Sequence, residues 1–216
     1  MNINPETLRD PAEIPLRDLL RTRRSVRRYL PIPVAGQTID ALLDAASTAP
    51  SAHNRQPWRF VVVEAAHSKA ALALAMGARL RSDRLRDGDT HDAIAADVAR
   101  SYARLTGAPA LIVICMSMVD MDHYPDERRA RAERTMATQG VAMAAQNLLL
   151  SAHAAGLAAC WMCAPLFCAD VVAGALRLPH DWEPQAIVTL GFAAEEGKPY
   201  RRRAARELTR YQDRDG

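Results

Sequence analysis

The residues best suited to chemistry fall into four short constellations. The first, Arg23-Arg24-Ser25-Val26-Arg27-Arg28-Tyr29, gathers four guanidinium groups and a hydroxyl within seven positions. Guanidinium groups stay charged at physiological pH and grip phosphate bidentately, and the serine hydroxyl adds another donor. Such a cluster suits a phosphate or the polar edge of a heterocycle, although spacing alone also allows a solvated helix face or a nucleic-acid patch. Against the patch stand a net charge of only +3 and Tyr29 as the one nearby ring for base stacking.

The second constellation is Ala49-Pro50-Ser51-Ala52-His53-Asn54-Arg55-Gln56-Pro57-Trp58, a polar loop bounded by prolines. Proline fixes backbone angles, so the amides and hydroxyl between them are held in place, which suits recognition of a flat ring with alternating donors and acceptors. An ordinary connecting loop is the plainer alternative. The third is Gly156-Leu-Ala-Ala-Cys160-Trp-Met-Cys163-Ala164-Pro165-Leu-Phe-Cys168. Its Cys-x-x-Cys suggests a redox pair or zinc ligands. In a strand, however, positions i and i+3 face opposite ways, so buried structural cysteines and no metal are expected. The fourth is the basic tail Lys198-Pro-Tyr-Arg201-Arg202-Arg203, either a loose end or a second clamp on the same anion. No serine sits in a hydrolytic triad pattern and no carboxylate pair stands out.

These pieces need a scaffold. A chain of 216 residues, 49% hydrophobic and 25% charged, is expected to form a single globular domain over 1–216 and is not disordered. Only Lys69 and Lys198 are lysines among the 28 basic residues. The stretch from Thr135 to Ala169 carries no formal charge. Gln139, Gln146, Asn147 and Ser151 interrupt it, so a buried or interface helix is expected, not a membrane span. The opening residues Met1–Leu16 show no secretion signal, and with it no disulfide framework, so the cytoplasm is the expected compartment.

Leu16, Leu19 and Leu20 have helical spacing and run into the basic cluster, with Pro31 and Pro33 ending any helix. Helices are predicted over 36–48, 67–80, 93–106, 131–154 and 169–177, and strands over 59–64, 110–116, 157–163 and 185–192. Residues 81–92 and 120–129 are charged and read as surface loops, the former with a turn at Asp87-Gly88. This mixture predicts an α+β layer fold.

Taken in order, the four constellations resemble the nitroreductase family of flavoproteins over about residues 15–205. The one departure is Ala158, where that family usually has a second glycine. The resemblance implies an α+β fold with a mainly antiparallel central sheet flanked by helices, in an intertwined homodimer with FMN at the subunit interface. By motif, Arg23, Arg24, Ser25 and Arg27 would meet the FMN phosphate and the polar edge of the ring. Ser51, Asn54 and Gln56 would approach from the partner subunit, Cys163 and Ala164 would face flavin N5, and Arg201 or Arg203 would close on the phosphate. The implied activity is a ping-pong hydride transfer through flavin N5 onto a small aromatic or heterocyclic substrate, with NADH, NADPH or a reduced deazaflavin as donor. No acid–base side chain is needed, and neither nucleic acid nor membrane is a partner.

A narrower resemblance runs through Arg81-Ser-Asp, Tyr124-Pro-Asp126, Glu133-Arg-Thr-Met136, Pro165-Leu-Phe167 and Leu178-Pro-His-Asp-Trp-Glu-Pro184. These segments are similar to the C-terminal reductase domain of the bifunctional glutamate ligase that matures the deazaflavin coenzyme factor 420. It implies a free-standing reductase acting on a deazaflavin-coenzyme precursor. A general NAD(P)H-dependent nitroaromatic or quinone reductase is the alternative, and a basic nucleic-acid-binding module the remote one.

Overall fold

The computed structural model describes residues 14–212, so most of the N-terminal signal reading lies outside the described residues. Four strands, β1 (Trp58–Val63), β2 (Ala110–Met116), β3 (Ala158–Met162) and β4 (Glu183–Gly191), form one sheet of order β1-β2-β4-β3 with every pair antiparallel. Six helices flank it: α1 (Leu16–Thr22), α2 (Gly36–Ser47), α3 (Ala66–Arg86), α4 (His91–Thr106), α5 (Glu127–Ala154) and α6 (Ala169–Leu176). The predicted α+β layer and central antiparallel sheet are thus observed.

Strand β2 shows why the sheet is central. Ala110, Ile112, Ile114 and Met116 pack into one core with α2 and α5, while Leu111, Val113 and Cys115 pack into a second with α3 and α6. Side chains alternate across a strand, so an unbroken apolar run is what a strand covered on both faces requires. Gly191 closes β4 where a Cβ would lie 2.6 Å from the Pro109 ring and 3.1 Å from Tyr29, so only glycine fits that approach.

Three expectations change. The basic run is not a helix face: α1 stops at Thr22, and residues 23–30 run extended along the sheet edge. Ser25 bridges Ala159 in parallel, Leu30 N donates to Phe192 O at 2.9 Å, and the Tyr29 hydroxyl bonds to Val26 O at 2.7 Å and Thr189 Oγ1 at 2.6 Å. The 81–92 loop shrinks to a turn at 87–90, with Gly88 at φ 85, because α3 continues to Arg86. Its charged last turn is held to α4 by Arg84, which pairs with Asp89 at 2.6 Å and with Asp97. Helix α5 also starts four residues early, because Asp126 caps it, accepting from Arg129 N at 3.0 Å.

The early start explains the arginines at 128–134. Arg129 pairs with Asp126, Arg131 with Glu127 at 3.1 Å, and Arg134 with Glu183, so three of them are engaged within the chain. Helix α5 buries only one stripe, through Ala137, Gly140, Val141, Ala144 and Leu148, and leaves Gln139, Ala142, Met143 and Gln146 exposed. Its uncharged opposite face is therefore on the surface of the single chain. Among the described residues, no helix is long and apolar enough to cross a membrane.

Candidate functional site

The first constellation opens onto a cleft of about 1220 Å³ between the C-terminal ends of α1 and α5. Arg23 and Arg24 form one side, Val26, Leu149 and Leu157–Ala159 an apolar floor, and residues 195–197 and Pro199 the other side. Gly156, at φ 76, ends α5 and lets Leu157 N return to Ala152 O at 2.8 Å, which turns the chain into β3 beside the cleft. At the rim, Thr22 Oγ1 and His153 Nε2 lie 2.8 Å apart.

Arg24 is the best-fixed group there. Its Nη1 donates to Arg21 O at 2.7 Å and Arg23 O at 3.0 Å, at the carbonyl end of α1. Its guanidinium lies 4.2 Å from the centre of the Tyr200 ring. Among the described residues neither Arg23 nor Arg24 pairs with a carboxylate, so their charge is available to an anion, whereas Arg28 is drawn to Glu195 at 3.6 Å. Glu196 also lines the cleft and sets an acidic limit on one side.

Ser25 and Arg27 are exposed and follow the edge of β3, with Arg27 Nη1 donating to Ser25 O at 3.4 Å. The same strand leads to Cys163 and Ala164, where a 3-10 turn over Ala164–Phe167 begins. The first amides of such a turn have no acceptor within it and can serve a ligand. Thus the 23–27 cluster and Cys163–Ala164 belong to one continuous edge.

The second constellation lies elsewhere in the chain. Three of its non-glycine residues are left-handed: His53 at φ 50, Asn54 at φ 55 and Gln56 at φ 48. Each such conformation costs on the order of 1–3 kcal/mol and persists only where surroundings impose it, which is typical of functional loops. Here Ser51 Oγ accepts from Gln56 N at 2.9 Å, and Arg55 pairs with Asp122. The Asn54 and Gln56 side chains are left exposed. Residues Arg55, Gln56 and Arg59 border a second hollow of about 600 Å³. This loop packs on α5 at Gly140, where a Cβ would sit 3.3 Å from Pro57 and 3.4 Å from Ser51. At 1.5 Å of helix per residue, Gly140 is about 20 Å from His153 at the first cleft. One chain therefore does not bring the loop and the arginine cluster together.

The tail borders the cleft through Gly197 and Pro199. Arg203 turns to Glu207 at 3.6 Å, and Arg201 is exposed. Arg202, likewise exposed, has its guanidinium 4.0 Å from the centre of the Tyr200 ring. An aromatic residue preceding consecutive arginines was the available signal for this contact.

The cysteines divide by burial. Burial pushes the Cys115 thiol from an ordinary 9.0 up to about 12, and it also raises Cys160 and Cys168, with Arg27 and Arg79 partly opposing. Cys163 is exposed, and its sulfur accepts from Trp161 Nε1 at 2.7 Å. Cys160 and Cys163 thus differ in exposure, and among the described residues no group of three or more His, Cys, Asp or Glu is placed to hold a metal ion. In flavin-free protein, iodoacetamide should react promptly with one thiol and with all four after unfolding. A second prompt thiol would contradict this packing. Because buried Cys115 holds its proton more tightly in the folded chain, its contribution to stability is complete below pH 9.0 and declines as pH rises toward about 12.

The model of the nitroreductase family matches residues 20–192. The 5,6-dimethylbenzimidazole synthase of Rhodospirillum rubrum is 31% identical over 82% of this chain and 82% of its own. The NADH dehydrogenase of Thermus thermophilus is 33% identical over 83% of this chain and 87% of its own. A chain from Desulfovibrio desulfuricans, described as a nitroreductase and solved with FMN, is 26% identical with a TM-score of 0.70, covering 94% of this chain and 99% of that one.

Proposed function

This chain belongs to the nitroreductase family, and from that premise we propose that it is an FMN-dependent oxidoreductase whose flavin sites are each built from two copies of the chain. The observation that carries the two-copy reading is the separation of about 20 Å between the arginine cleft and the strained 51–57 loop along α5. The exposed uncharged face of α5 supports the same reading, since a partner docking there meets no charge that must be stripped of water.

The residues present fit the cofactor. An apolar floor with guanidinium groups along one side suits a flat ring ending in a phosphate dianion. Arg23 and Arg24 would hold the phosphate, and Ser25 and Arg27 the polar edge of the ring. Amides at Cys163 and Ala164 would meet the reactive edge, and the partner's loop, through its own copies of Ser51, Asn54 and Gln56, would cover the opposite side. Bound flavin supplies hydride transfer through N5. What this chain contributes is binding, orientation and positive charge near the pyrimidine edge; one well-aimed donor in such a site contributes roughly 3 kcal/mol. Donor and acceptor then share one opening in turn, which gives ping-pong kinetics.

NADH or NADPH is the proposed donor; the name of the Thermus relative, NADH dehydrogenase, supports the first. The acceptor is proposed to be a small aromatic or heterocyclic molecule. All four cysteines are free, which fits a reducing, cytoplasmic setting. The test is anaerobic: the flavin is reduced with each nicotinamide nucleotide, then reoxidised by menadione, nitrofurazone or the dehydro deazaflavin precursor. Bleaching by NAD(P)H and parallel lines in double-reciprocal plots are expected, and the fastest acceptor names the substrate class. The deazaflavin arm rests on the second-half motifs alone. A flavin that no nicotinamide nucleotide reduces would overturn the donor assignment.

A further inference from the structure

Resting on the reading that the 51–57 loop faces the partner's flavin, we infer that Glu133 is a positioning residue that fixes this loop in the shape presenting Asn54 and Gln56. Glu133 lies in the buried stripe of α5 and is only 1% exposed. Its Oε1 accepts from Asp122 N at 3.2 Å, and its Oε2 is buried without a hydrogen-bond partner among the described residues. The tie anchors segment 117–122 to the helix. That segment holds the loop at three points: Ser117 N donates to Pro57 O at 2.8 Å, Asp122 pairs with Arg55, and Asp120 pairs with Arg59 at 2.8 Å. Arg59 extends the hold, because its Nη1 donates to Gln56 O at 3.0 Å and Trp58 O at 2.9 Å.

Glu133 acts as an anchor and not as a stabiliser of the fold on two counts. Exposed ion pairs contribute little singly, so Asp120 and Asp122 can hold a strained backbone only if the segment carrying them is itself fixed. On the same face of α5, Gly140 supports the loop directly beneath Pro57 and Ser51. One helix thus holds the loop both directly and through the segment, at points about 10 Å apart along its axis. Second, a buried carboxyl with one unsatisfied oxygen lowers stability, and an apolar side chain of similar length would pack there without that cost. Its presence is accounted for by what it holds.

Glu133→Met removes the tie and the unsatisfied oxygen together, whereas Glu133→Gln keeps an acceptor for Asp122 N. Flavin-free Glu133→Met is expected to melt no lower than the parent chain. It should nevertheless bind FMN about 10-fold more weakly, the scale of one lost hydrogen bond, while Glu133→Gln binds as the parent does. Unchanged FMN affinity in Glu133→Met, or affinity and melting temperature falling together, overturns the assignment. Mixed with an excess of Arg24→Ala chains, Glu133→Met chains enter dimers in which one undamaged arginine cleft faces an undamaged loop. That site should regain the parent's affinity. If it stays weak, Glu133 serves its own chain's cleft and the proposal fails. Asn54→Gly, Gln56→Gly tests the reading beneath it: a parent chain that binds no FMN, or an affinity untouched by that double change, removes the reading and the proposal with it.

Discussion

Arg24→Ala is expected to purify colourless and to bind added FMN on the order of 100-fold more weakly than the parent chain, as the loss of a bidentate charged contact requires. Arg24 is the side chain where α1, the tail and the cleft meet. It bonds the last carbonyls of α1, stacks on Tyr200 and lies under Gly197. Its removal therefore deletes the proposed phosphate donor and also loosens the tail. Arg24→Lys separates the two effects: it keeps a charge but loses the planar fork, so FMN affinity should fall less while discrimination against riboflavin still weakens. Thermal unfolding of the flavin-free proteins should differ little, because Arg24 is partly exposed and not in the core. An Arg24→Ala protein that keeps full flavin occupancy would remove this residue from the site.

The second large effect concerns two chains at once. An Asn54→Gly, Gln56→Gly variant loses both exposed amides of the strained loop, yet glycine adopts positive φ without penalty, so the loop can retain its path. By itself this variant should bind flavin poorly, as should Arg24→Ala. Mixed and reassembled together, about half of the dimers carry one chain of each kind, and each of those has one intact site and one doubly damaged site. About a quarter of the flavin sites should return. Mixed dimers seen by native mass spectrometry without any regained flavin would show that the loop and the arginines do not serve the same site.

The elements behind these results differ in how far the sequence reveals them. Strand β2 was readable because seven consecutive buried apolar residues have no other economical place than the middle of a sheet. Helix α2 was readable from Ile39, Leu42 and Ala46 on one face, and the turn at Asp87-Gly88 from residues that tolerate positive φ. The sequence pattern ends helix α3 at 80, because its last six residues are mostly charged and carry no apolar stripe. What extends it is the pairing of Arg84 with Asp97 on α4. Arg79 is similar: it pairs with Asp170 at 2.6 Å, ninety-one positions away.

The candidate site shows the same division. Residue types alone marked Arg23–Arg27 and Ser51–Gln56 as unusual, since guanidinium clusters and proline-bounded amides have few roles that local structure explains. The periodicity of a charged run, however, cannot distinguish a helix face from a strand edge, because no apolar residue records which side is inside. The bridge from Ser25 to Ala159 settled that. Likewise three consecutive arginines in the tail are equivalent as sequence. Only the fold shows that Arg202 is the one whose guanidinium lies near the Tyr200 ring, which is tied to Arg21 O. Sequence by itself determined the elements and the chemical inventory, because both are set by near neighbours along the chain. Tertiary structure decided which groups meet and which stay about 20 Å apart, because those distances are fixed by packing between residues remote in sequence.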